Sequence, residues 1–399
     1  LQGFLDIANE KMADAIRKIS VSKGYDPKDY AMLAFGGAGG MHACQVATLL
    51  GMSKVIMPRD AGILSAYGIG NALEERFTSR EVLKPLREVA DLEKIIDQLS
   101  DKALGELESD GYQREDLIAR HVFCYLRLKG QEHSLEIDWK DGGDLEENFE
   151  KEYRQLYGHY IEDRPIEMES VKVVASLKPD EEETVKPPKD TYQPEELKTQ
   201  QAFLSGKWRE VRVYDIDELK PAAKISGPAI MLYPTSTSFI EKGWEAVLDE
   251  NFTLIAEQVS FDGEEAERPE EIELELFSNR FTGIAEEMGA LLQRTAFSVN
   301  VKERLDFSCA LLDPAGDLIV NAPHIPVHLG ALGVCVKKLK ESIAMEEGDV
   351  VITNSPAYGG SHLPDVTLVM PIFSGGELVG YAANRAHHAE IGGISPGSM

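Results

Sequence analysis

The chain has 399 residues, with 69 acidic against 41 basic side chains and a formal net charge of −28. This length allows two or three domains with well-filled cores. The negative balance argues against partners that select basic surfaces, namely nucleic acids and anionic membranes. The four cysteines are far apart and form no CxxC pair, which predicts reduced thiols in a soluble cytoplasmic protein.

The beginning of the chain alternates helices and strands. Residues 4–22 carry apolar side chains at helical spacing and predict a helix, which the breaker GYDPKD ends. "YAMLAF" then predicts a buried strand, "MHACQVATLLGM" a second helix and "KVIMP" another strand. Residues 30–53 lack charged side chains over a membrane-span length, but the glycines among them favour a strand, a loop and a helix. This order is typical of an α/β domain.

A glycine-rich loop, "AFGGAGG", joins the first predicted strand to the second helix. Glycines let a backbone approach a ligand closely, and free amides at a helix start favour an anionic group. The loop matches neither GxxxxGKS nor GxGxxG. Phosphate or nucleotide contact and a purely structural turn are both open on this spacing.

The middle of the chain is more charged and richer in strands. A helix is predicted for residues 91–110, followed by strands in "HVFCYLRLKG" and "HSLEIDW". A polar connection at 179–196 leads to a β-rich piece that extends from "WREVRVYD" to "FTLIAE". The acidic segment 261–273 is the sharpest change of composition, and we place the main domain boundary there as a linker. An amphipathic helix is predicted after it, in residues 277–298.

Two strand-like runs flank Gly375 and Gly376 near the end of the chain and predict a hairpin with a two-residue turn. In this register facing residue numbers sum to 751, so that Asp365 lies opposite Ala386. His362, three residues before Asp365, then meets His387 or His388 at the open end of the hairpin.

Two imidazoles and one carboxylate suit Mn, Fe, Zn or a similar ion with open positions for water and substrate. A hydrogen-bonded loop in which Asp365 orients a histidine is the alternative. A slip of one residue exchanges the faces of His387 and His388, so the spacing does not separate them.

Further polar residues lie before the hairpin, on either side of a strand that is predicted to begin near Phe307. His324 and His328 have Pro326 between them, which argues against a helical zinc motif and leaves pocket or structural roles open. "KERLDFS" gathers four charges, which form an internal salt bridge or grip a substrate carboxylate through Arg304. Arg304, Asp306 and His324 are the candidate catalytic residues.

The segment "FGGAGGMHACQVATLLGMSKVIMPRDAGILSAYGIG" resembles the C-terminal part of the hydantoinase A / 5-oxoprolinase family. The resemblance implies an actin-like ATPase fold that uses ATP with Mg. It also implies that Gly36, Gly37, Ala38 and Gly39 line the adenosine side of the nucleotide cleft. Many relatives have proline where this chain has Gly40, a departure expected to loosen the loop.

The segments "NVKERLDFSCALLDPAGDLIVNAPHIPVHLGAL", "GGSHLPDVTLVMPIF" and "NRAHHAEIGGISPGSM" resemble the start of the hydantoinase B family. In related acetone and acetophenone carboxylases, an HxxD pair and a later histidine hold a metal ion. The resemblance implies His362, Asp365 and His387 as ligands of a divalent metal (Mn, Zn or Fe), with His388 as the alternative to His387.

The expected architecture is therefore α/β with four segments. Residues 1–80 would be the C-terminal part of an actin-like ATPase domain, and 81–260 an α+β and β-rich region of the same A-type segment. The acidic linker 261–273 would precede 274–399, the start of an α+β hydantoinase B-type domain. The phosphate loop expected at the start of an A-type domain is missing, so we expect a fragment of a larger enzyme, inactive alone.

Fusion of the A and B types resembles the 5-oxoprolinase branch, which implies ATP-dependent opening of a cyclic amide, 5-oxo-L-proline, to glutamate. An N-methylhydantoin hydrolase, an ATP-dependent ketone carboxylase and a nucleotide-binding scaffold without chemistry remain alternatives. The expected partners are a small cyclic amide and further copies in a homo-oligomer, with no nucleic acid and no membrane.

Overall fold

A computed structural model describes most of the chain. The described residues are 2–131, 133–139, 143–162, 164–179, 188, 190–204, 206–260, 270–322, 324–325, 328–360 and 362–395. Among their helices, none is both long enough and apolar enough to cross a membrane. All four cysteines are unpaired, as their spacing predicts, and all four are buried.

The described helices include the four that the sequence predicts and four more. In chain order they are α1 (Gln2–Ser22), α2 (Gly39–Leu49), α3 (Leu64–Gly70), α4 (Leu92–Ser109), α5 (Leu145–Tyr157), α6 (Glu270–Thr295), α7 (Val299–Lys302) and α8 (Leu329–Ser342). The predicted helices at 4–22, 41–52, 91–110 and 277–298 are thereby confirmed as α1, α2, α4 and α6.

The strands make four sheets. In chain order they are β1 (Met32–Leu33), β2 (Lys54–Met57), β3 (Glu75–Pro85), β4 (Leu117–Leu128), β5 (Leu135–Asp138), β6 (Ile166–Leu177), β7 (Lys198–Leu204), β8 (Lys207–Asp215), β9 (Lys224–Ser226), β10 (Ala229–Leu232), β11 (Thr237–Ile240), β12 (Trp244–Leu248), β13 (Leu254–Gln258), β14 (Phe307–Leu312), β15 (Leu318–Asn321), β16 (Val351–Thr353), β17 (Asp365–Ser374) and β18 (Glu377–His387).

Two compact units divide the chain. One combines Leu1–Ile63 with Lys186–Met399, and the other is Leu64–Val185. The second unit is an antiparallel sheet in the order β3-β6-β4-β5, and α4 and α5 bury their apolar stripes against it. Packing defines these units, whereas the predicted boundaries at 80 and 260 concern segments of sequence and remain a prediction.

The first unit contains a five-stranded sheet in the order β1-β2-β13-β12-β9, which shares a hydrophobic core with α2. The predicted buried strand "YAMLAF" is shorter than expected, since only Met32 and Leu33 pair with a neighbour. Leu33 and Phe35 are 50% and 55% exposed. The prediction of burial was wrong here because β1 is an edge strand, with a pairing partner on one side alone.

The buried face of helix α1 includes polar side chains and leaves some of its apolar ones exposed. Met12 and Ile19 are exposed, whereas Asn9, Glu10 and Ala13 are buried. The buried polar side chains have partners, because Arg280 of α6 forms an ion pair with Glu10. Contacts with α2 and with α6, which is distant in sequence, therefore set the rotation of this helix.

The first unit also contains a sheet in the order β11-β10-β8-β7 and another sheet that carries the residues of the predicted metal site. The latter sheet has the order β15-β14-β18-β17-β16. Alternate residues of β14 face opposite sides, so that Ala310 packs with Leu332 and Val336 of α8, while Cys309 packs with Ala285 of α6. The sheet thus lies between α8 on one face and α6 on the other.

The predicted acidic linker at 261–273 is described only in part. Residues 261–269 lie outside the described residues, and 270–273 form the first turn of α6. Glutamates in that turn are favourable, because the first turn of a helix carries unpaired amides and a partial positive charge.

Candidate metal centre

The β17–β18 hairpin positions the candidate ligands. Its turn contains Gly375 and Gly376, both with positive φ, as the two-residue turn predicts. A bulge near the turn shifts the register, so that Asp365 pairs with His387 and not with Ala386. The predicted pairing was wrong by one residue because a β-bulge inserts an unpaired residue into one strand.

Three side chains converge at the open end of this hairpin. Oδ1 of Asp365 lies 3.0 Å from Nδ1 of His387 and 3.3 Å from Nδ1 of His362. The backbone amide of Asp365 donates to the carbonyl oxygen of His362, and this turn brings the HxxD pair together. The structure therefore places the three predicted ligands so that one potential ligand atom from each lies within 4.8 Å of the others.

The arrangement fits a divalent metal ion. Asp365 is 1% exposed, while the side chains of His387 and His362 are 24% and 37% exposed, so the cluster has a buried base and an open side. Oδ2 of Asp365 and Nδ1 of His362 are buried without a hydrogen-bond partner among the described residues. Such polar atoms are costly to bury, and a cation satisfies oxygen and imidazole ligands of this kind.

His388, the alternative ligand, lies just after the end of β18. Its backbone amide donates to the carbonyl oxygen of Pro364 at 3.0 Å. Burial lowers the pKa of its imidazole, and the neighbouring His387 lowers it further. Among the described residues, the group that combines metal-ligating atoms contains His387 and does not contain His388.

His328 contacts the other oxygen of the central carboxylate. Its Nε2 lies 3.7 Å from Oδ2 of Asp365, and its Nδ1 lies 3.3 Å from Oγ of Ser308. Burial lowers the pKa of His328, the charge of Asp365 raises it, and the charge of Arg385 lowers it. The sequence offered only its nearness to His324 as a signal, because Asp365 is 37 residues away.

Two of the three candidate catalytic residues, His324 and Arg304, lie outside the cluster of metal-ligating atoms. His324 packs on the Phe307 ring with centroids 4.3 Å apart, and burial lowers its pKa, while Glu286 and Lys18 exert opposite electrostatic effects. Arg304 is exposed in the turn before β14. Neither belongs to the cluster of metal-ligating atoms, and their catalytic roles remain predictions.

Asp306, the third candidate, touches the cluster through its backbone. Its carbonyl oxygen accepts a hydrogen bond from the amide of His387 at 2.9 Å. This bond continues the pairing of β14 with β18 by one residue and fixes the end of the strand that carries His387.

The glycine loop lies in the same unit, beside the start of β11. Gly36 has φ +84° and its amide donates to Ala61, and α2 begins at Gly39, after Gly37 and Ala38. Gly37 accepts a hydrogen bond from the amide of Thr237. Nucleotide contact by this loop remains a prediction.

Gly40, which was expected to loosen the loop, packs closely against Ser238. A Cβ at this position would lie 2.1 Å from Oγ of Ser238. Real Cβ atoms do not approach that closely, so any larger residue requires β11, which carries Ser238, to move. Glycine here permits close packing of α2 on β11.

A cavity of about 560 Å³ lies within the first unit, away from the cluster. Its walls come from α1, α2, α6 and the segment around Glu241. Burial raises the pKa of Glu241 to about 7, which a hydrogen bond from Gln45 partly opposes. Nδ2 of Asn9 donates to Oε1 of Gln45, and Oδ1 of Asn9 accepts from Nδ1 of His42 when that ring nitrogen carries the proton.

Three family profiles match the chain in succession. "Hydantoinase/oxoprolinase" matches residues 2–76, "Hydantoinase/oxoprolinase C-terminal domain" matches 82–258, and "Hydantoinase B/oxoprolinase" matches 270–399. The mixed α/β architecture with a B-type segment is confirmed by these matches together with the sheets described above.

Curated relatives match the whole chain. "5-oxoprolinase 1" of Arabidopsis thaliana is 37% identical and "5-oxoprolinase" of Saccharomyces cerevisiae is 38% identical, each over 100% of this chain. The chain spans 32% and 33% of these relatives, so about one third of their length.

One solved structure supports the fold. An ATP-dependent caprolactamase from Pseudomonas jessenii aligns with a TM-score of 0.53 and 24% identity, over 65% of this chain and 40% of that chain.

Proposed function

Because the chain belongs to the hydantoinase/oxoprolinase family, with A-type and B-type segments in one polypeptide, we propose that it takes part in the ATP-dependent hydrolysis of a cyclic amide. The proposed reaction converts 5-oxo-L-proline to L-glutamate with release of ADP and phosphate. The observation that carries the choice of substrate is the match of the whole chain, at 37–38% identity, to relatives named 5-oxoprolinase.

The chemistry explains why ATP is needed. Amide resonance stabilises an unstrained lactam, so water attacks its carbonyl carbon slowly. Transfer of the γ-phosphoryl group to the carbonyl oxygen makes that carbon electrophilic. One water then opens the ring and a second accounts for the release of phosphate, so that ADP, phosphate and the amino acid balance the equation.

His362, Asp365 and His387 would hold a divalent ion, which supplies a Lewis acid and an activated water when bound. Oδ1 of Asp365 faces both imidazoles, and His328 lies on the side of Oδ2. The imidazole of His328 lies beside Oδ2 without a hydrogen bond to it, and Oδ1 is the oxygen directed to the cluster. The partly exposed faces of His362 and His387 leave a side open to substrate.

The remaining expectations complete this proposal. Gly36–Gly39 would contact the nucleotide, with Mg accompanying ATP, because glycines let the backbone approach a ligand closely and the start of α2 favours an anionic group. A cytoplasmic location and a homo-oligomeric assembly belong to the proposal too, as implied by the resemblance to 5-oxoprolinases.

The test is ADP release by the full-length gene product with 5-oxo-L-proline, with N-methylhydantoin, and with acetone plus bicarbonate. Glutamate is assayed in parallel. We expect ADP and glutamate to rise together, and only with 5-oxo-L-proline. ADP release driven by the hydantoin or by the ketone would refute the choice of substrate. Bound nucleotide without turnover of any of them would favour a scaffold.

A further inference from the structure

A buried arginine lies beside the metal-ligating cluster. Arg385 is 0% exposed, and its Nε donates to Oγ1 of Thr367 at 2.7 Å. Both terminal nitrogens of its guanidinium are buried without a hydrogen-bond partner in the described part of the chain. Arginine remains charged in proteins, and a buried charge without an anionic partner is strongly unfavourable. The arrangement therefore calls for an anion.

The charge of Arg385 acts on two described groups of α8 and its N-cap, His328 and Cys335. It lowers the pKa of His328, and together with a side-chain contact with the Cys335 thiol it opposes the rise that burial causes in the pKa of Cys335. His328 is the N-cap of α8, where the helix dipole is positive, and Cys335 lies in the middle of that helix, so neither residue supplies a negative charge. Asp365 is the buried carboxylate nearby, and its Oδ1 faces the cluster.

The geometry relates Arg385 to the cluster. In β18, Arg385 and His387 are two residues apart and so point to the same face, about 6.8 Å from each other along the strand. Arg385 pairs with Thr367 of β17 and Ser308 of β14, two residue pairs further along the sheet than the Asp365–His387 pair and so the next pair on the same face. A small ligand that reaches both pairs has one end at the cluster and the other at the guanidinium.

We propose that Arg385 binds the carboxylate of the substrate, and that the site therefore selects cyclic amides that carry an acidic group. This inference rests on the proposed lactam hydrolysis and adds the residue that selects the substrate. The two terminal nitrogens match the two oxygens of a carboxylate in a bidentate pair. In 5-oxo-L-proline the carboxylate is attached to the carbon next to the ring nitrogen, a few ångströms from the ring carbonyl.

The assignment differs from the role considered for Arg304. Arg304 is exposed, so water would compete for its guanidinium, whereas Arg385 is already removed from water. A carboxylate that enters from the open side at His362 and His387 would be desolvated against a fixed, prepositioned charge. Discrimination against neutral lactams follows, because they would leave that charge unpaired.

The experiment compares two ligands that differ by the carboxylate alone, 5-oxo-L-proline and 2-pyrrolidinone. Their dissociation constants are measured by calorimetry on the full-length, metal-loaded protein and on Arg385→Met. We expect the wild type to prefer 5-oxo-L-proline by ~10-fold to 100-fold, the range of a charged hydrogen-bonded pair. In Arg385→Met this ratio should fall towards one while the metal content is unchanged.

Two further variants make the result specific. Arg212→Met also removes a half-buried arginine of the same unit, whose guanidinium donates to the carbonyl oxygen of Ser226, and should keep the wild-type preference. Thr367→Val removes the oxygen that holds Nε of Arg385 and should reduce the preference without abolishing it. If Arg385→Met does not fold, Thr367→Val still tests the proposal.

The outcomes separate this inference from the proposed reaction. Three results would overturn the carboxylate assignment. They are an equal loss of affinity for the two ligands in Arg385→Met, a loss of metal in that variant, and equal affinity of the wild type for the two ligands. A carboxylate preference that disappears in Arg385→Met would support it even if no lactam is hydrolysed. In that case the proposed function alone would fail.

Discussion

Asp365 is the residue on which the candidate site depends. Its Oδ1 faces His362 and His387, its Oδ2 faces His328, and its backbone amide closes the turn that begins at His362. A carboxylate that is 1% exposed needs such partners, because desolvation disfavours an isolated charge. The residue types predicted this chemistry, but the contact with His328 depends on the tertiary structure.

The choice between the two neighbouring histidines has a direct test at this scale. We expect His387→Ala to lower metal affinity by more than ~100-fold, since even outer partners of metal ligands contribute ~10- to 100-fold. His388→Ala is the matched control and should retain metal close to the wild-type level, because His388 is outside the ligand group. Metal content after dialysis against a chelator measures both. Loss of metal in the His388 variant with retention in the His387 variant would contradict the assignment.

At the scale of elements, the hairpin of β17 and β18 brings Asp365 and His387, which are separated in sequence, together in one site. Its glycine turn was predicted correctly, and its register was not, because a bulge beside the turn adds one unpaired residue. A period-two pattern does not reveal such a bulge, since the inward and outward alternation resumes after it. The bulge therefore decides that Asp365 pairs with His387.

Gly380, next to that bulge, lets β18 lie close to β14. A Cβ on Gly380 would lie 2.5 Å from the carbonyl oxygen of Leu312, a backbone atom that has little freedom to move. We expect Gly380→Ala to lower the free energy of unfolding by ~1–3 kcal/mol, as overpacking in a core does. Urea unfolding measures the change.

The control for this prediction is Gly330→Ala in α8, where a Cβ would have no atom within 4 Å. That change should be neutral or stabilise the protein by up to ~1 kcal/mol, because alanine favours the helix. Equal destabilisation by the two substitutions would show that the close approach at Leu312 is not the cause.

At the scale of the whole molecule, residues from the two ends of the sequence share one compact unit. Helix α1, at the start of the A-type segment, packs along α6, the first helix of the B-type segment. The ion pair of Arg280 with Glu10 lies in this contact, where Glu10 is 3% exposed and Arg280 is partly exposed. The two segments are therefore joined by packing as well as by the chain.

Loss of this ion pair should destabilise the folded protein. We expect Arg280→Ala to lower the free energy of unfolding by ~1–2 kcal/mol, less than for a fully buried pair because Arg280 is partly exposed. Lys11→Ala is the control, since Lys11 and Glu275 join the same helices through an exposed pair 3.9 Å apart. It should change stability by less than ~0.5 kcal/mol. Equal effects of the two substitutions in thermal or urea unfolding would contradict a special role for Glu10.

The sequence by itself determined the element order, the family, the glycine turn of the hairpin and the three side chains of the candidate metal site. These features depend on local periodicity, turn chemistry and residue type, which are visible within short stretches. Tertiary structure alone decided the register that pairs Asp365 with His387, the polar buried face of α1, and the burial of Arg385. Each of these depends on which distant element packs against it, and the spacing of residues along the chain does not contain that information.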